Sequence, residues 1–278
     1  MALRALALVA LFGCPATPAT PSSPSGEHIT RLISLSPALT DTVVALGAAD
    51  LLVGVSAYCT LPKGIQAARL GGVQDLPLEA IVQLQPTLIV TSDSKHGPAK
   101  RLRAAGLRVE TLSEGGLDAV TENISRLGVL LRREAQGRSL RQRLTDSLGA
   151  LAPQPGAAKP RALVVFSSEG EPVRQAWAAG PGGWLGELIE LVGLDNVLSN
   201  GPSYVQLSAE GILTLQPDLI IELNGQASDQ APPIAERWGA FKQLPAVKTG
   251  RLHRLSGEAL LRPGPRLIEL AQALAKLR

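Results

Sequence analysis

Short apolar runs alternate with segments of helical periodicity along most of the chain from residue 31 onward. The run 31–36 predicts a β-strand, and the segment that begins at Pro37 predicts a helix because its apolar residues at 39, 43 and 46 fall on one helical face. The alternation restarts with a predicted strand over 161–167 and closes with a predicted helix over 265–278. Strands that alternate with short helices are typical of parallel sheets with helices on both faces, so the pattern predicts the α/β class.

One stretch of this pattern occurs twice. The sequence LEAIVQLQPTLIV at 78–90 is matched by AEGILTLQPDLII at 209–221, with seven identical positions at a fixed offset of 131 residues. Each copy predicts a helix that begins near a glutamate, Glu79 or Glu210, and a buried strand that follows a proline. The offset is too long for a solenoid, whose repeats run to about 20–50 residues. The repeat therefore predicts two similar lobes.

The segment between the two lobes has a different pattern. Apolar residues follow one another at intervals of three and four over 117–131 and resume over 140–151, with arginines between them. This spacing predicts one long, rigid amphipathic helix of about 33 residues and about 50 Å, with a kink at Gly137. The predicted division is an N-terminal lobe over 29–115, an interlobe backbone helix over 116–152 and a C-terminal lobe over 153–278. Two Rossmann-like lobes with parallel-type sheets, joined by that helix, would hold a ligand cleft between them.

The first residues carry a targeting signal. Arg4 is followed by an apolar run over 5–12 that is too short to span a bilayer, which needs about 20 residues. The run ends in LFGC, so residues 1–14 resemble a bacterial lipoprotein signal with Cys14 as the lipidated residue; an ordinary signal peptide cut elsewhere is the alternative. Residues 15–28 are rich in Pro, Ser and Thr and predict an extended tether. The predicted location is the periplasm or the outer face of the cytoplasmic membrane, with a lipid anchor.

Composition narrows the classes of function. Hydrophobic residues make up 45% of the 278 residues, enough for two cores, while the net charge is only +3. The basic residues do not form a stripe, so the sequence predicts no nucleic-acid partner. Neither a Walker motif nor G-x-S-x-G occurs, and we therefore predict that the protein is not an enzyme. An enzyme of related two-lobed fold is the remote alternative.

Cysteine and histidine are too sparse to predict a metal site. Cys59 is the one cysteine after the leader, and we predict a small buried residue there, with a Cys14–Cys59 disulfide as the alternative. The three histidines, His28, His96 and His253, fall in the tether and in different lobes. They do not predict a bare metal ion as the ligand, because such a site needs several converging side chains.

Four stretches together resemble a known family. They are RLISLSPALTDTVVALGAADLLVGVS from residue 31, LEAIVQLQPTLIV from 78, LSAEGILTLQPDLII from 207 and LLRPGPRLIELAQAL from 260. Over essentially the whole chain after the tether, the sequence resembles the substrate-binding proteins of bacterial ABC importers for vitamin B12 and iron–siderophore complexes, which have a helical backbone between two lobes. Within that family it is most similar to the vitamin B12-binding proteins.

The resemblance implies a function as well as a fold. It implies a monomeric receptor with no resident cofactor, which captures cobalamin or another cobalt corrinoid and delivers it to the permease and ATPase of an ABC importer in the inner membrane. A ferric siderophore or haem is the alternative ligand.

The resemblance also implies roles for three charged residues. Glu79 and Glu210 match the acidic residues that dock onto permease arginines, one on each lobe, and a carboxylate in the first turn of a helix is stabilised by the helix dipole. Ordinary helix capping is the alternative for both. Arg262 matches a position near the cleft and could meet a carboxylate or phosphate of the ligand; a surface arginine that holds a helix start is the alternative.

The few aromatic residues supply the remaining predictions. Tyr58 matches a corrin-contacting tyrosine, and Trp177 and Tyr204 fall in predicted C-lobe loops where the vitamin B12-binding proteins also carry aromatic residues. A flat ring offers large contact area to a macrocycle at little entropic cost. Ordinary loop packing is the alternative for each. Trp184 and Trp238 are predicted in the core.

The N-lobe departs from the vitamin B12-binding pattern. Val73 and Ser92 stand where that pattern has tryptophans, and Asp75, Asp93 and Lys95 lie nearby. A thinner aromatic lining with these polar neighbours would also suit another corrinoid or a more polar iron complex.

Overall fold

The computed structural model describes residues 28–72, 75–225, 232–258 and 260–278. The predicted leader with Cys14, most of the predicted tether and Val73 lie outside the described residues. The described chain forms two α/β lobes, one over roughly the first third of the sequence and one over the second half, with a helical segment between them.

The N-lobe is built on one parallel sheet. Its elements are β1 (Leu32–Ser34), α1 (Pro37–Ala45), β2 (Leu52–Val55), β3 (Ala68–Arg69), α2 (Leu78–Gln83), β4 (Leu88–Ser92), α3 (Ala99–Ala104) and β5 (Val109–Leu112). The strand order is β3-β2-β1-β4-β5, and every pair is parallel. Helix α1 begins where the sequence predicts, because Pro37 occupies its first turn and the Ser36 hydroxyl accepts from the backbone N–H of Leu39 at 3.4 Å.

The C-lobe is built on a mixed sheet. Its elements are β6 (Arg161–Glu169), β7 (Gln175–Ala179), α6 (Trp184–Leu191), β8 (Asp195–Asn196), β9 (Tyr204–Ser208), α7 (Ala209–Leu215), β10 (Leu219–Asn224), α8 (Ile234–Arg237), α9 (Pro245–Lys248), β11 (Leu252–Ser256) and α10 (Leu267–Ala275). The order is β11-β10-β6-β7-β9, with β8 paired to β6. Strands β7 and β9 are antiparallel to their neighbours, and the sequence pattern predicts neither of them. The two-lobed α/β prediction is confirmed, with this antiparallel extension added.

The sequence repeat is a structural repeat. Helices α2 and α7 occupy matching places before β4 and β10. Gln85 and Gln216 follow these helices with φ angles of 45° and 46°, a left-handed conformation that is uncommon for residues other than glycine. An arginine contacts each turn: Arg31 donates from Nε to the Leu84 carbonyl at 2.8 Å, and Arg161 donates to the Gln216 carbonyl at 3.1 Å. The two lobes thus build the same helix-to-strand connection.

The interlobe segment is a helical hairpin, and the prediction of one long helix is wrong. Helix α4 covers Leu117–Leu130 and α5 covers Glu134–Gly149; between them Arg132 adopts a φ of 54°. The helices pack closely near the turn, where a Cβ placed on Gly128 would lie 3.3 Å from the Cα of Gly137. Gly137 is therefore a crossing point between two helices rather than a kink in one.

The main hydrophobic core runs through both lobes. It joins side chains of the two sheets with the buried faces of α4, α5, α6 and α10. A smaller cluster lies on the far face of each sheet, around Ile81 in the N-lobe and around the fully buried Trp238 in the C-lobe. Glu187 of α6 also accepts from the backbone N–H of Leu117 at 2.7 Å, so a C-lobe side chain caps α4. This shared core predicts small rather than large lobe movements.

Candidate ligand-binding cleft

A cavity of about 280 Å³ and another of about 240 Å³ adjoin the carboxyl ends of the C-lobe strands. The second, which we call the cleft cavity, is lined by Glu114, Phe166, Trp184, Leu185, Tyr204, Leu261 and Pro263. Glu114 comes from the end of the N-lobe and the other residues come from the C-lobe, so the cavity lies between the lobes. In α/β proteins ligands bind at this edge of the sheet.

Three aromatic side chains share one face of the C-lobe sheet. Trp177 of β7 pairs directly with Gln206 of β9, and Tyr204 stands two residues away on the same side, so the two rings are diagonal neighbours. Phe166 meets Tyr204 edge to face, with ring centroids 5.3 Å apart and an interplanar angle of 76°. Trp177 is 39% exposed and Tyr204 is 45% exposed. These rings form an open apolar surface, which we call the aromatic face.

The aromatic face lies on strands rather than on the predicted loops. Trp177 is central in β7 and Tyr204 begins β9, which corrects the prediction for both residues. The sequence QAWAA around Trp177 contains three alanines and no β-branched residue, so Trp177 itself is the one residue there that favours a strand. Phe166 was not predicted; its position within the long apolar strand β6 was the signal available.

Trp184 serves both the core and the cleft. It is 4% exposed, which confirms the core prediction, and its backbone N–H donates to the Gly115 carbonyl at 2.7 Å. The glycines before it form the turn into α6. A Cβ on Gly180 would lie 2.1 Å from the Pro202 carbonyl oxygen, so only glycine fits at that close approach. The turn therefore fixes one wall of the cleft cavity.

Tyr58 projects from the N-lobe. It follows β2 and is 71% exposed, more than any other large apolar or aromatic residue in the described part of the chain. Its ring lies beside Gly72, where a Cβ would come within 3.5 Å of the ring. Of the four residues predicted to bind ligand, only Tyr204 lines the cleft cavity; Tyr58, Trp177 and Arg262 lie outside its lining.

Arg262 links the end of the chain to the N-lobe. Its Nη2 donates to the Tyr58 carbonyl at 3.2 Å and to the Thr60 hydroxyl at 3.3 Å, and its Nη1 lies 3.6 Å from Oδ2 of Asp41. Burial raises the pKa of Asp41 above its usual value, and the positive charge of Arg262 opposes this shift. The ligand-contact role of Arg262 stays a prediction, and the structure adds that its side chain holds the segment carrying Tyr58.

The predicted docking glutamates stand at equivalent exposed positions. Glu79 lies in the first turn of α2 and Glu210 in the first turn of α7. Within the described ranges neither carboxylate has a hydrogen-bond or ion-pair partner. The side chain that caps α7 is Ser208, which accepts from the Gly211 N–H at 3.2 Å. Both carboxylates are thus available to a partner, and the docking role stays a prediction.

The remaining predicted residues have varied surroundings. Cys59 is a buried free cysteine beside the hydroxyls of Thr40 and Ser56, at 3.1 and 3.2 Å, which confirms the prediction of a small buried residue. Asp75 accepts from the Gly72 N–H at 2.8 Å, while Asp93 and Lys95 are exposed just after β4. Among the described residues, no three His, Cys, Asp or Glu side chains come together in a metal-binding arrangement.

No helix in the described parts of the chain is both long enough and apolar enough to cross a bilayer.

Comparison with known proteins places this architecture. The family model for "Periplasmic binding protein" matches residues 32–259. An uncharacterized ABC transporter substrate-binding lipoprotein of Bacillus subtilis, YvrC, is 26% identical over 252 residues, which cover 88% of this chain and 79% of that protein.

Two solved structures are about equally similar to the chain. The crystal structure of the periplasmic vitamin B12 binding protein BtuF of Vibrio cholerae has a TM-score of 0.74 at 26% identity and covers 90% of this chain and 96% of its own. The periplasmic heme-binding protein BhuT, in complex with two hemes, has a TM-score of 0.73 at 26% identity; the match covers 89% of this chain and 98% of the BhuT chain.

The family match spans most of the chain and includes both lobes. Periplasmic binding proteins are extracytoplasmic solute-binding proteins and are not a family of enzymes. The chain therefore belongs to the periplasmic binding protein family, as a substrate-binding protein of an ABC importer.

Proposed function

We propose that the protein captures cobalamin or another corrinoid between its lobes and delivers it to the permease of an ABC importer. The observation that carries this proposal is the aromatic face. Trp177 and Tyr204 are both partly exposed on one side of the C-lobe sheet, next to a cavity between the lobes.

The physical basis is the shape of the ligand. A corrin ring is broad and nearly flat, and partly exposed aromatic side chains bury large area against such a surface while losing little rotamer freedom. Tyr58 would contribute from the N-lobe, where its exposed ring lies beside Gly72. The BtuF similarity supports the same class of ligand.

Haem or a ferric siderophore is the second candidate. BhuT matches the chain as closely as BtuF does. The N-lobe also has Ser92, a small polar residue, where the corrinoid pattern predicts a tryptophan. A haem would use the same aromatic face, so the fold does not separate the two ligands.

Delivery would use the exposed glutamates. Glu79 and Glu210 are proposed to accept arginine side chains of the permease, one from each lobe. The protein is proposed to act as a monomer, held at the membrane by a lipid on Cys14. The lipoprotein relative YvrC supports the anchor.

Calorimetric titration of the leaderless protein tests the proposal. Cyanocobalamin, haemin and a ferric hydroxamate are titrated in parallel. One-to-one binding of cyanocobalamin alone is the expected result. If haemin or the ferric hydroxamate binds and cyanocobalamin does not, the ligand is an iron complex. If none of the three binds, both the corrinoid and the iron-complex proposals are wrong.

A further inference from the structure

Beside the cleft cavity, the C-lobe contains another cavity, which sequence patterns do not predict. It measures about 280 Å³ and is lined by Val165, Phe166, Ser167, Ser168, Glu222, Leu223, Asn224, Arg237 and Arg254. Phe166 also lines the cleft cavity, so the two cavities adjoin at one residue. We call the 280 Å³ cavity the arginine cavity.

Its wall is an ordered network around one carboxylate. The Glu222 side chain is 8% exposed and accepts from Arg237 Nε at 3.2 Å and from Arg254 Nε and Nη2 at 3.0 and 2.9 Å. The indole N–H of Trp238 donates to the same carboxylate at 2.9 Å. Two guanidiniums therefore share a single buried counter-charge.

Other contacts fix the orientation of both guanidiniums. Arg237 also donates to Glu171 at 2.8 Å and to the Ser168 hydroxyl, and Arg254 donates to the Pro232 carbonyl at 2.8 Å. The hydrogen bonds described here use three of the five N–H donors on each arginine. The groups are held in place before any ligand arrives, which lowers the entropic cost of binding.

The charges that line the arginine cavity do not balance among the described residues. Arg237 and Arg254 are 13% and 20% exposed, while Glu222 is the described carboxylate that lines the cavity. Glu171 pairs with Arg237 at 2.8 Å, but it is 54% exposed and does not line the cavity, so water screens its charge more than it screens the buried charges. The cavity therefore carries a positive potential in a partly desolvated setting.

We propose that the arginine cavity binds an oxyanion group, a carboxylate or a phosphate ester, carried by the ligand in the cleft. Guanidinium forks match the geometry of both groups, and the hydroxyl of Ser168, which lines the cavity, can add a hydrogen-bond donor. The proposal rests on the proposed function, because it assigns the arginine cavity to an anionic arm of the same ligand. It restricts that ligand to complexes that carry an anionic group, such as a phosphodiester-bearing corrinoid or a macrocycle with carboxylate arms.

The test uses small probes and a charge inserted at the cavity wall. Inorganic phosphate, propionate and neutral propionamide are titrated while the indole N–H signal of Trp238 is followed by NMR, since that group touches Glu222. Ser167 is exposed, so Ser167→Asp adds a negative charge without burying it, and Ser167→Asn is the uncharged match. We expect a saturable shift from phosphate or propionate and none from propionamide. Ser167→Asp should weaken the response at least tenfold, and Ser167→Asn should preserve it.

Cyanocobalamin and haemin titrations of both variants separate this inference from the proposed function. Macrocycle binding that is equal in both variants, with no response of Trp238 to either anion, would overturn the inference and leave the function standing. A response to anions that Ser167→Asp does not weaken would also overturn it. Anion binding with no macrocycle binding would support the cavity and remove the macrocycle function. Phosphate and propionate responses, compared directly, decide which oxyanion the cavity prefers.

Discussion

The guanidinium of Arg262 lies 3.6 Å from the carboxylate of Asp41, which pairs a residue just before the last helix with a residue of the first helix. The two side chains are only 13% and 9% exposed, and the two facing atoms have no hydrogen-bond partner among the described residues. The pair thus holds the end of the chain against the N-lobe at the base of the segment that carries Tyr58.

Arg262→Gln should destabilise the protein strongly. Removing the cation takes away the nearest counter-charge of the buried Asp41, and breaking one partner of a buried pair costs roughly 3–5 kcal/mol. Arg126→Gln is the matched control, because the Arg126–Glu110 pair is 54% and 27% exposed and such surface pairs contribute roughly 0–1 kcal/mol. Urea unfolding measures both. Equal losses in the two variants would show that Arg262 is an ordinary surface residue.

The stability of the protein should depend on the protonation of Asp41. Burial raises the pKa of this carboxyl above 3.8, its value in the unfolded chain, and Arg262 offsets only part of the shift. The ionised form therefore favours unfolding at neutral pH, and this penalty disappears as the pH falls through the folded pKa toward 3.8. The parent should therefore gain stability relative to Asp41→Asn as the pH falls from neutral toward about 4, because only the parent has this ionisation to lose. Urea unfolding of both proteins across this range checks the sign; a parent that loses stability relative to Asp41→Asn as the pH falls would mean that attraction to Arg262 exceeds the cost of burial and lowers the pKa of Asp41.

The sequence predicts the repeated elements well because their signals are local. Helix α1 and the two helix-to-strand connections depend on prolines and on short apolar runs, which act within a few residues. The break between α4 and α5 has no such signal. Both helices turn their apolar faces to the same core, so the spacing continues across the turn at Arg132, and only the close approach of Gly128 to Gly137 reveals the hairpin.

The binding surfaces were predictable only in part. Sequence reasoning selects Tyr204 and Trp177 because aromatic residues are scarce, but it does not show that they share a sheet face with Phe166. The arginine cavity was beyond prediction, because Glu222, Arg237 and Arg254 lie on three elements and meet only through the register of β10 with β11 and the packing of α8.

Charge reversal at both predicted docking residues should separate transport from binding. The double variant Glu79→Lys with Glu210→Lys should lose uptake, because two lysines would repel the permease arginines, while its ligand affinity stays unchanged. The double variant Asp118→Lys with Glu134→Lys, two exposed reversals in the first turns of α4 and α5, is the control for net charge and helix-dipole effects. Uptake in a strain that depends on this receptor and calorimetry on the purified variants give the two readouts. Normal uptake by the double variant would end the docking hypothesis.

Truncation of the aromatic face should weaken ligand binding without unfolding the protein. Tyr204→Ala removes the edge-to-face contact with Phe166 and a partly exposed ring at the cleft cavity, so we expect about a tenfold loss of affinity for the macrocycle that binds. Trp177→Ala and Tyr58→Ala should act in the same direction. Val129→Ala is the control, because Val129 is 57% exposed on α4 and belongs neither to the aromatic face nor to the lining of the cleft cavity. Calorimetry measures each affinity, and an unchanged value for Tyr204→Ala would exclude this face from the site.

The close contact between the two interlobe helices should make a branched side chain at Gly128 destabilising. A Cβ on Gly128 would lie 3.3 Å from both the Gly137 Cα and the Arg133 carbonyl oxygen, and the branched side chain of valine would have to push the helices apart. Gly128→Val should therefore lower the free energy of unfolding by roughly 1–3 kcal/mol, the usual cost of overpacking. Gly149→Val is the matched control, since a Cβ on that exposed glycine meets nothing within 4 Å and valine is the better helix former. Urea unfolding should show that Gly128→Val is less stable than the parent and that Gly149→Val is more stable. If Gly128→Val is as stable as Gly149→Val, the hairpin can open by that much at no cost, and the lobes are joined less tightly than the shared core implies.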